Sequence, residues 1–273
     1  MEKQELPNLI ILALPVVIVA LAFFLLPMAY LAYIAGSGAD GFSTYTSVLT
    51  EARYLESLIA TTVLAAATTI ATLVIAVIAG LFLERNRFAG RDLLLSMLTF
   101  PLAFPGVVVG FMVIMLAGRQ GLIGQITAML TGDKLVFAYS ISGLFLGYVY
   151  FSIPRVILTI MAAAEKLDVA LEEAARSLGA TPWQVIRDVI LPALKPALIA
   201  SGAIAFATAM GAFGTAFTLA TNIDVLPMTI YTEFTLRANI ATAAALSIVL
   251  GLITWIVLNI ARSLAGSTVA AAG

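Results

Sequence analysis

Polarity along this chain changes on the scale of whole segments. Six apolar runs stand out: about Leu9–Ile34, Ser57–Leu83, Leu93–Ala117, Val136–Ala164, Pro196–Thr221 and Ile240–Leu264. Crossing the hydrocarbon core of a bilayer takes roughly 20 predominantly apolar residues, and each run has that length. Lipid offers no partner to a backbone N–H or C=O, so a spanning segment must be a helix or part of a closed barrel. The runs lack the dyad alternation of barrel strands. The pattern therefore predicts an all-α integral membrane protein with six transmembrane helices in a single membrane domain covering residues 1–273.

The intervening segments differ in character. Lys3, Arg85, Arg87, Arg91, Lys166, Arg176, Arg187, Lys195 and Arg262 fall on one side of the predicted membrane, and Arg53, Arg119, Lys134 and Arg237 on the other. Basic residues concentrate in cytoplasmic loops, which predicts that both termini, Glu84–Asp92 and Glu165–Lys195 face the cytoplasm. MEKQELPN followed by so long an apolar run reads as a retained anchor, since a secretory h-region is about 7–15 residues. On the opposite side, Gly36–Glu56 reads as irregular. Gly118–Leu135 is expected to hold an interfacial helix, and Thr221–Asn239, with Pro227, to dip back towards the membrane. In the third run, Pro101, Pro105, Gly106 and Gly110 predict either a kink along a pathway or close helix packing.

Composition narrows the chemistry. Of 273 residues, 62% are hydrophobic and 11% charged, with no cysteine and no histidine, and mean hydropathy is +1.09. Soluble domains carry roughly 25% charged residues. Disulfides, Cys/His metal sites, thiol nucleophiles and a histidine general base are all excluded. An intramembrane enzyme would have little chemistry left. A secondary transporter would call for carboxylates within the spans and an inverted repeat, and neither is evident.

The one long polar interruption is EKLDVALEEAARSLGATPWQVIRDVILPALK, Glu165–Lys195. Leu171, Ala174, Ala175 and Leu178 share one stripe of a short helix, flanked or opposed by Glu172, Glu173 and Arg176. Gly179 is suited to the left-handed C′ position. Thr181 and Pro182 supply an N-cap and N1 for a second helix that runs from Trp183 to about Leu191, with Pro192 and Pro196 returning the chain to the membrane. By pattern alone this elbow either docks on a partner or folds back on its own bundle.

Glu173-Ala174-Ala175, three residues, Gly179, nine residues and Val189-Ile190-Leu191-Pro192 resemble the EAA loop of binding-protein-dependent ABC importer permeases, E-A-A-x3-G-x9-I-x-L-P. Val189 in place of isoleucine is the one departure. The resemblance implies a type I, MetI-like permease of a bacterial inner membrane, working with two cytoplasmic ATPase subunits. A second permease (a sister subunit or a second copy) and an extracytoplasmic solute-binding protein complete the expected assembly. It further implies a coupling helix in which Glu173 contacts the ATPase, Ala174 and Ala175 allow close seating, Gly179 makes the turn, and Leu191 and Pro192 close the motif. None of Lys3, Lys134, Lys166 or Lys195 follows a glycine, so there is no phosphate-cradling Gly-Lys-Ser/Thr loop. ATP and magnesium are expected in the partner, and no cofactor or metal in this chain.

For the solute, Arg155 lies in the fourth run about ten residues from its end, hence ~15 Å deep. It either lines a pathway or subunit contact, or snorkels. Phe206, Phe213 and Phe217 recur through the fifth run, as cation–π contacts or as packing. Tyr148, Tyr150 and Tyr231 are weaker aromatic candidates. No span contains Asp or Glu, which leaves Asp224 or Glu233 as loop carboxylates for a cation. The resemblance favours a polyamine cargo such as spermidine or putrescine. Arg155 favours an anion, with phosphonate, sulfate or molybdate, or ferric iron as alternatives.

Overall fold

A computed structural model of the chain describes residues 12–38, 41–219 and 223–265. Leu9–Ile11, residues 220–222 and the tail from Gly266 lie outside the described residues. Among the described residues the secondary structure is helical. In chain order we number α1 (Leu12–Gly36), α2 (Ser43–Thr50), α3 (Ala52–Arg85), α4 (Arg91–Thr99), α5 (Gly106–Ala117) and α6 (Leu122–Thr131). These are followed by α7 (Ile141–Ala164), α8 (Val169–Ser177), α9 (Pro182–Met210), α10 (Phe213–Leu219), α11 (Leu226–Tyr231) and α12 (Ile240–Ala265). Six stretches are long and apolar enough to cross a membrane: α1, α3, α5 with α6, α7, α9 and α12.

Two of the predicted spans have different bounds. Leu93–Ala117 is not one helix: α4 ends in a 3-10 turn at Phe100–Ala103, and α5 starts afresh with Pro105 as its N-cap. Pro101 and Pro105 lack donors, and Pro105 holds Phe104 before it in extended backbone (ψ 135°), out of the helical region. The crossing stretch therefore begins at Gly106. Pro196–Thr221 is likewise displaced. α9 already begins at Pro182, passes through a π turn at Ile186–Ile190 and stops at Met210. The wide turn lets Leu191 N–H bond Ile186 O, so Pro192 enters the next regular turn without breaking the rod. Gly36–Glu56 also departs from expectation, since it contains α2.

The chain divides into two compact units, drawn from Met1–Ser57 with Thr229–Leu252 and from Leu58–Met228 with Ile253–Gly273. In the first, the π turn Thr232–Leu236 buries Glu233 to 1% exposure. Arg53 and Arg237 each place a guanidinium nitrogen 3.1 Å from its carboxylate. The Ser57 and Thr229 hydroxyls meet at 2.7 Å.

In the second unit, Val156, Ile157 and Ile160 of α7 pack with Val185, Ile190 and Leu194 of α9 and with Ala76 and Leu83 of α3. Elsewhere α5, α7 and α10 meet through glycine. A Cβ on Gly110 would lie 2.6 Å from Thr218 Cβ, and one on Gly147 2.9 Å from Thr215 Cγ2. The third run's glycines thus serve close packing. Overpacking such a contact costs about 1–3 kcal/mol. Gly110→Val is therefore expected to lower the melting temperature of the detergent-solubilised protein by about 2–12 °C. Gly251→Ala, whose methyl meets open space, should leave it unchanged, and identical melting of both variants would refute the packing role.

Candidate functional site

The elbow between α7 and α9 is closed at every helix end. Asp168 caps α8 by accepting from Ala170 N–H at 2.9 Å. Gly179 takes φ +85°. Gly179 N–H donates to Arg176 O and Ala180 N–H to Ala175 O, at 2.9 and 3.1 Å, the paired bonds of a Schellman termination. Thr181 and Gln184 then form a reciprocal capping box with Pro182 in the first turn of α9. The turn chemistry expected from Gly179, Thr181 and Pro182 is present in full.

The faces of α8 divide in a way the sequence pattern missed. Leu171 and Leu178 are 59% and 90% exposed, and Ala174 and Glu173 are exposed with Ala175 half-buried. The apolar stripe is thus largely uncovered, and so is Trp183 on the next helix. What folds back is Glu172, with 3% exposure. Both its carboxylate oxygens accept from the Arg85 guanidinium at the end of α3, and Arg176 Nη2 adds a longer contact of 3.8 Å. The hydrogen bonds from Arg85 hold the Glu172 carboxyl below the usual carboxylate range, against the opposing effect of burial. Arg91 completes the anchorage by donating from Nε to Leu83 O at 2.7 Å. A cleft of about 370 Å³ remains between Glu84, Arg85, Glu165, Glu172, Glu173 and Arg176. Glu172 was recognisable only as a neighbour of the motif, since nothing in the sequence joins it to Arg85, 87 positions away. Leu191 and Pro192 lie in α9 just beyond its π turn, half-buried and exposed respectively.

A second feature lies where α9 breaks. Gly211 and Ala212 separate α9 from α10, and a cavity of about 220 Å³ opens there, lined in part by Gly106, Tyr148, Ser152, Thr208, Ala212 and Thr215. Arg155, exposed on α7, donates from Nη1 to Thr208 Oγ1 at 3.2 Å and stands 5.9 Å from the Phe151 ring. It has no carboxylate partner among the described residues. Phe206 is buried. Phe213 and Phe217 remain part-exposed, their rings 5.3 Å apart. Asp224 is exposed before α11, and Tyr231 ends that helix half-buried.

The chain is thus a helical bundle with six membrane-length stretches that carries, outside them, a capped helix with an uncovered apolar face. The chain belongs to the family described as binding-protein-dependent transport system inner membrane component, which it matches over residues 76–267, and it is an ABC importer permease. It is 36% identical over 171 residues to the molybdenum transport system permease protein ModB of Escherichia coli K12, covering 61% of this chain and 74% of that one. It is 38% identical over 141 residues to the sulfate transport system permease protein CysT of Salmonella typhimurium, covering 52% and 50%. The fold matches a bacterial alginate ABC transporter crystallised with an alginate pentasaccharide-bound periplasmic protein, with TM-score 0.79, 18% identity and coverage of 96% and 95%. The polyamine cargo favoured from sequence finds no support among these relatives. Its proposed carboxylate, Glu233, is already engaged by Arg53 and Arg237.

The Arg85–Glu172 pair has a definite pH signature. The folded-state value of Glu172 lies below its unfolded value of about 4.3. Its stabilisation is therefore complete above that pH and lost as pH falls through the lower, folded value. At pH 7, Glu172→Gln should cost about 1–2 kcal/mol, allowing for screening at part-exposed Arg85. Hydrogen exchange across Val169–Ser177 should then be faster than in wild type. The difference should shrink as pH falls through the lowered, folded value of Glu172, and a difference that stays constant down to acid unfolding would rule out the ion pair as its cause.

Proposed function

We propose that this chain forms half of the translocation pathway of an ATP-driven importer for a tetrahedral oxyanion of the molybdate or sulfate type. The observation that carries this reading is Arg155. It is a guanidinium without a carboxylate partner among the described residues, placed on a membrane-spanning helix and bonded to a threonine of the cavity wall. Charge of this kind inside a span marks ion and substrate pathways, and the permeases named above serve molybdenum and sulfate systems. The whole chain acts as one permease domain with both termini in the cytoplasm. It pairs with a sister permease or a second copy, two ATPase subunits that use ATP and magnesium, and an extracytoplasmic binding protein.

The uncovered face of α8 is the coupling surface in this reading. Glu173 offers an exposed charge, Ala174 and Ala175 allow close seating, and Leu171 and Leu178 supply apolar area. ATP-driven closure of the ATPases moves α8 as a rigid body, and the bundle with it. Gly179, Leu191 and Pro192 keep the elbow's shape during that movement.

Proteoliposomes containing the complete transporter and its binding protein test both halves. Labelled molybdate or sulfate should accumulate with ATP, and spermidine should not. Arg155→Ala should lower oxyanion uptake at least about tenfold, the loss of one charge-assisted contact, while the assembly stays intact. Glu173→Lys should abolish stimulation of ATP hydrolysis by the loaded binding protein. Uptake of spermidine without uptake of either oxyanion would overturn the cargo, and full coupling in Glu173→Lys would overturn the docking face.

A further inference from the structure

The hydroxyls around the cavity at the α9–α10 break are not equivalent. Tyr148 Oη donates to Ala212 O at 2.7 Å, Thr208 Oγ1 to Ile204 O at 2.8 Å, and Thr215 Oγ1 to Gly106 O at 2.9 Å. Those three protons are committed to the backbone. Ser152 lines the same cavity with only 5% exposure, and its hydroxyl has no hydrogen-bond partner among the described residues. An unbonded hydroxyl on a cavity wall is able to donate to whatever enters the cavity. Ser201 and Ser247 on other spans instead bond the carbonyl one turn back, Ala197 O and Ala243 O, each at 2.7 Å.

The rest of the wall has matching polarity. α5, a helix of 12 residues, begins at Gly106 in the cavity lining, and its N-cap Pro105 provides no side-chain cap. The start of a helix presents free N–H groups and partial positive charge. Thr208 brings the Arg155 guanidinium to the rim, and Asp and Glu are absent from the lining. A volume of about 220 Å³ holds roughly seven waters at ~30 Å³ each, room for a small anion that keeps part of its hydration.

We propose that Ser152, the Gly106 end of α5 and the Arg155–Thr208 pair form a transient oxyanion subsite inside the permease, in which the Ser152 hydroxyl donates to the anion. This rests on the oxyanion reading given above and adds a resting place within the pathway. Ser152 is a specificity residue here, because it separates solutes that accept its proton from those that do not.

The test uses the complete transporter in proteoliposomes with its loaded binding protein, and labelled molybdate and sulfate as probes. Ser152→Ala removes the hydroxyl with little change of volume. It should lower the uptake rate of the transported oxyanion about tenfold, the effect of losing one hydrogen bond to a charged group. Basal ATP hydrolysis and the affinity of the binding protein should not change. Ser152→Thr, which keeps a hydroxyl, should recover a substantial part of the rate. As a second measurement, retention of labelled molybdate by the detergent-solubilised complex without binding protein should fall in Ser152→Ala and in Arg155→Ala alike. Wild-type oxyanion uptake with equal rates and equal retention in Ser152→Ala would overturn the subsite and leave the cargo standing. Absence of molybdate and sulfate uptake in wild type would overturn the cargo itself.

Discussion

Hydrocarbon cannot hydrogen-bond a backbone amide, and an unsatisfied polar group there costs several kcal/mol. Breaks and ends among the described helices are therefore tied to side-chain repairs. Where α9 stops, Tyr148 donates across to Ala212 O. Where α5 starts, Thr215 donates to Gly106 O. Where α3 ends, Arg91 donates to Leu83 O. These side chains let the chain bend within the bundle, and the bend at Gly211–Ala212 is what opens a polar cavity among apolar helices. Without such repairs the six runs would be plain rods with nowhere for a solute to rest.

The same accounting governs the elbow, for a different reason. A nine-residue helix is too short to persist by itself in water. α8 persists because Asp168, Gly179 and the Thr181–Gln184 box satisfy its ends and those of its neighbour, while Glu172 ties its inner face to Arg85. Its outer face is left bare. A helix fixed along one side and free along the other can transmit a push into α3, α7 and α9 together, which a flexible loop would absorb. The ion pair thus matters as a brace more than as a source of stability, consistent with the small net value of part-exposed pairs.

Much of this was legible beforehand because it depends on local rules. Six apolar runs, the left-handed Gly179, the Thr181-Pro182 start and the small-residue face of α8 all follow from neighbours within a few positions. The misplaced bounds of the third and fifth spans came from prolines, whose effect depends on whether the surrounding helix can rearrange. Pro105 restarts a helix, whereas Pro192 is absorbed by a π turn. The Glu172–Arg85 brace and the Ser152 cavity were illegible because each joins residues far apart in the chain. Phe206, which its periodicity left between cation–π contact and packing, is buried.

The cargo shows how a physical clue can outweigh a general likeness. The overall look of the sequence leaned towards polyamines, while Arg155 pointed the other way. A unit charge 4 Å from another contributes about 4 kcal/mol at an effective dielectric near 20. One uncompensated guanidinium in a pathway is thus enough to disfavour a multiply charged cation. Glu233, the loop carboxylate suggested for a cation, is itself shared by two arginines. An importer must also let its solute go, so a pathway needs contacts that are favourable yet few. In the proposed subsite, one arginine, one free hydroxyl and one helix end would satisfy that demand for an anion: enough to admit the charge and too few to trap it.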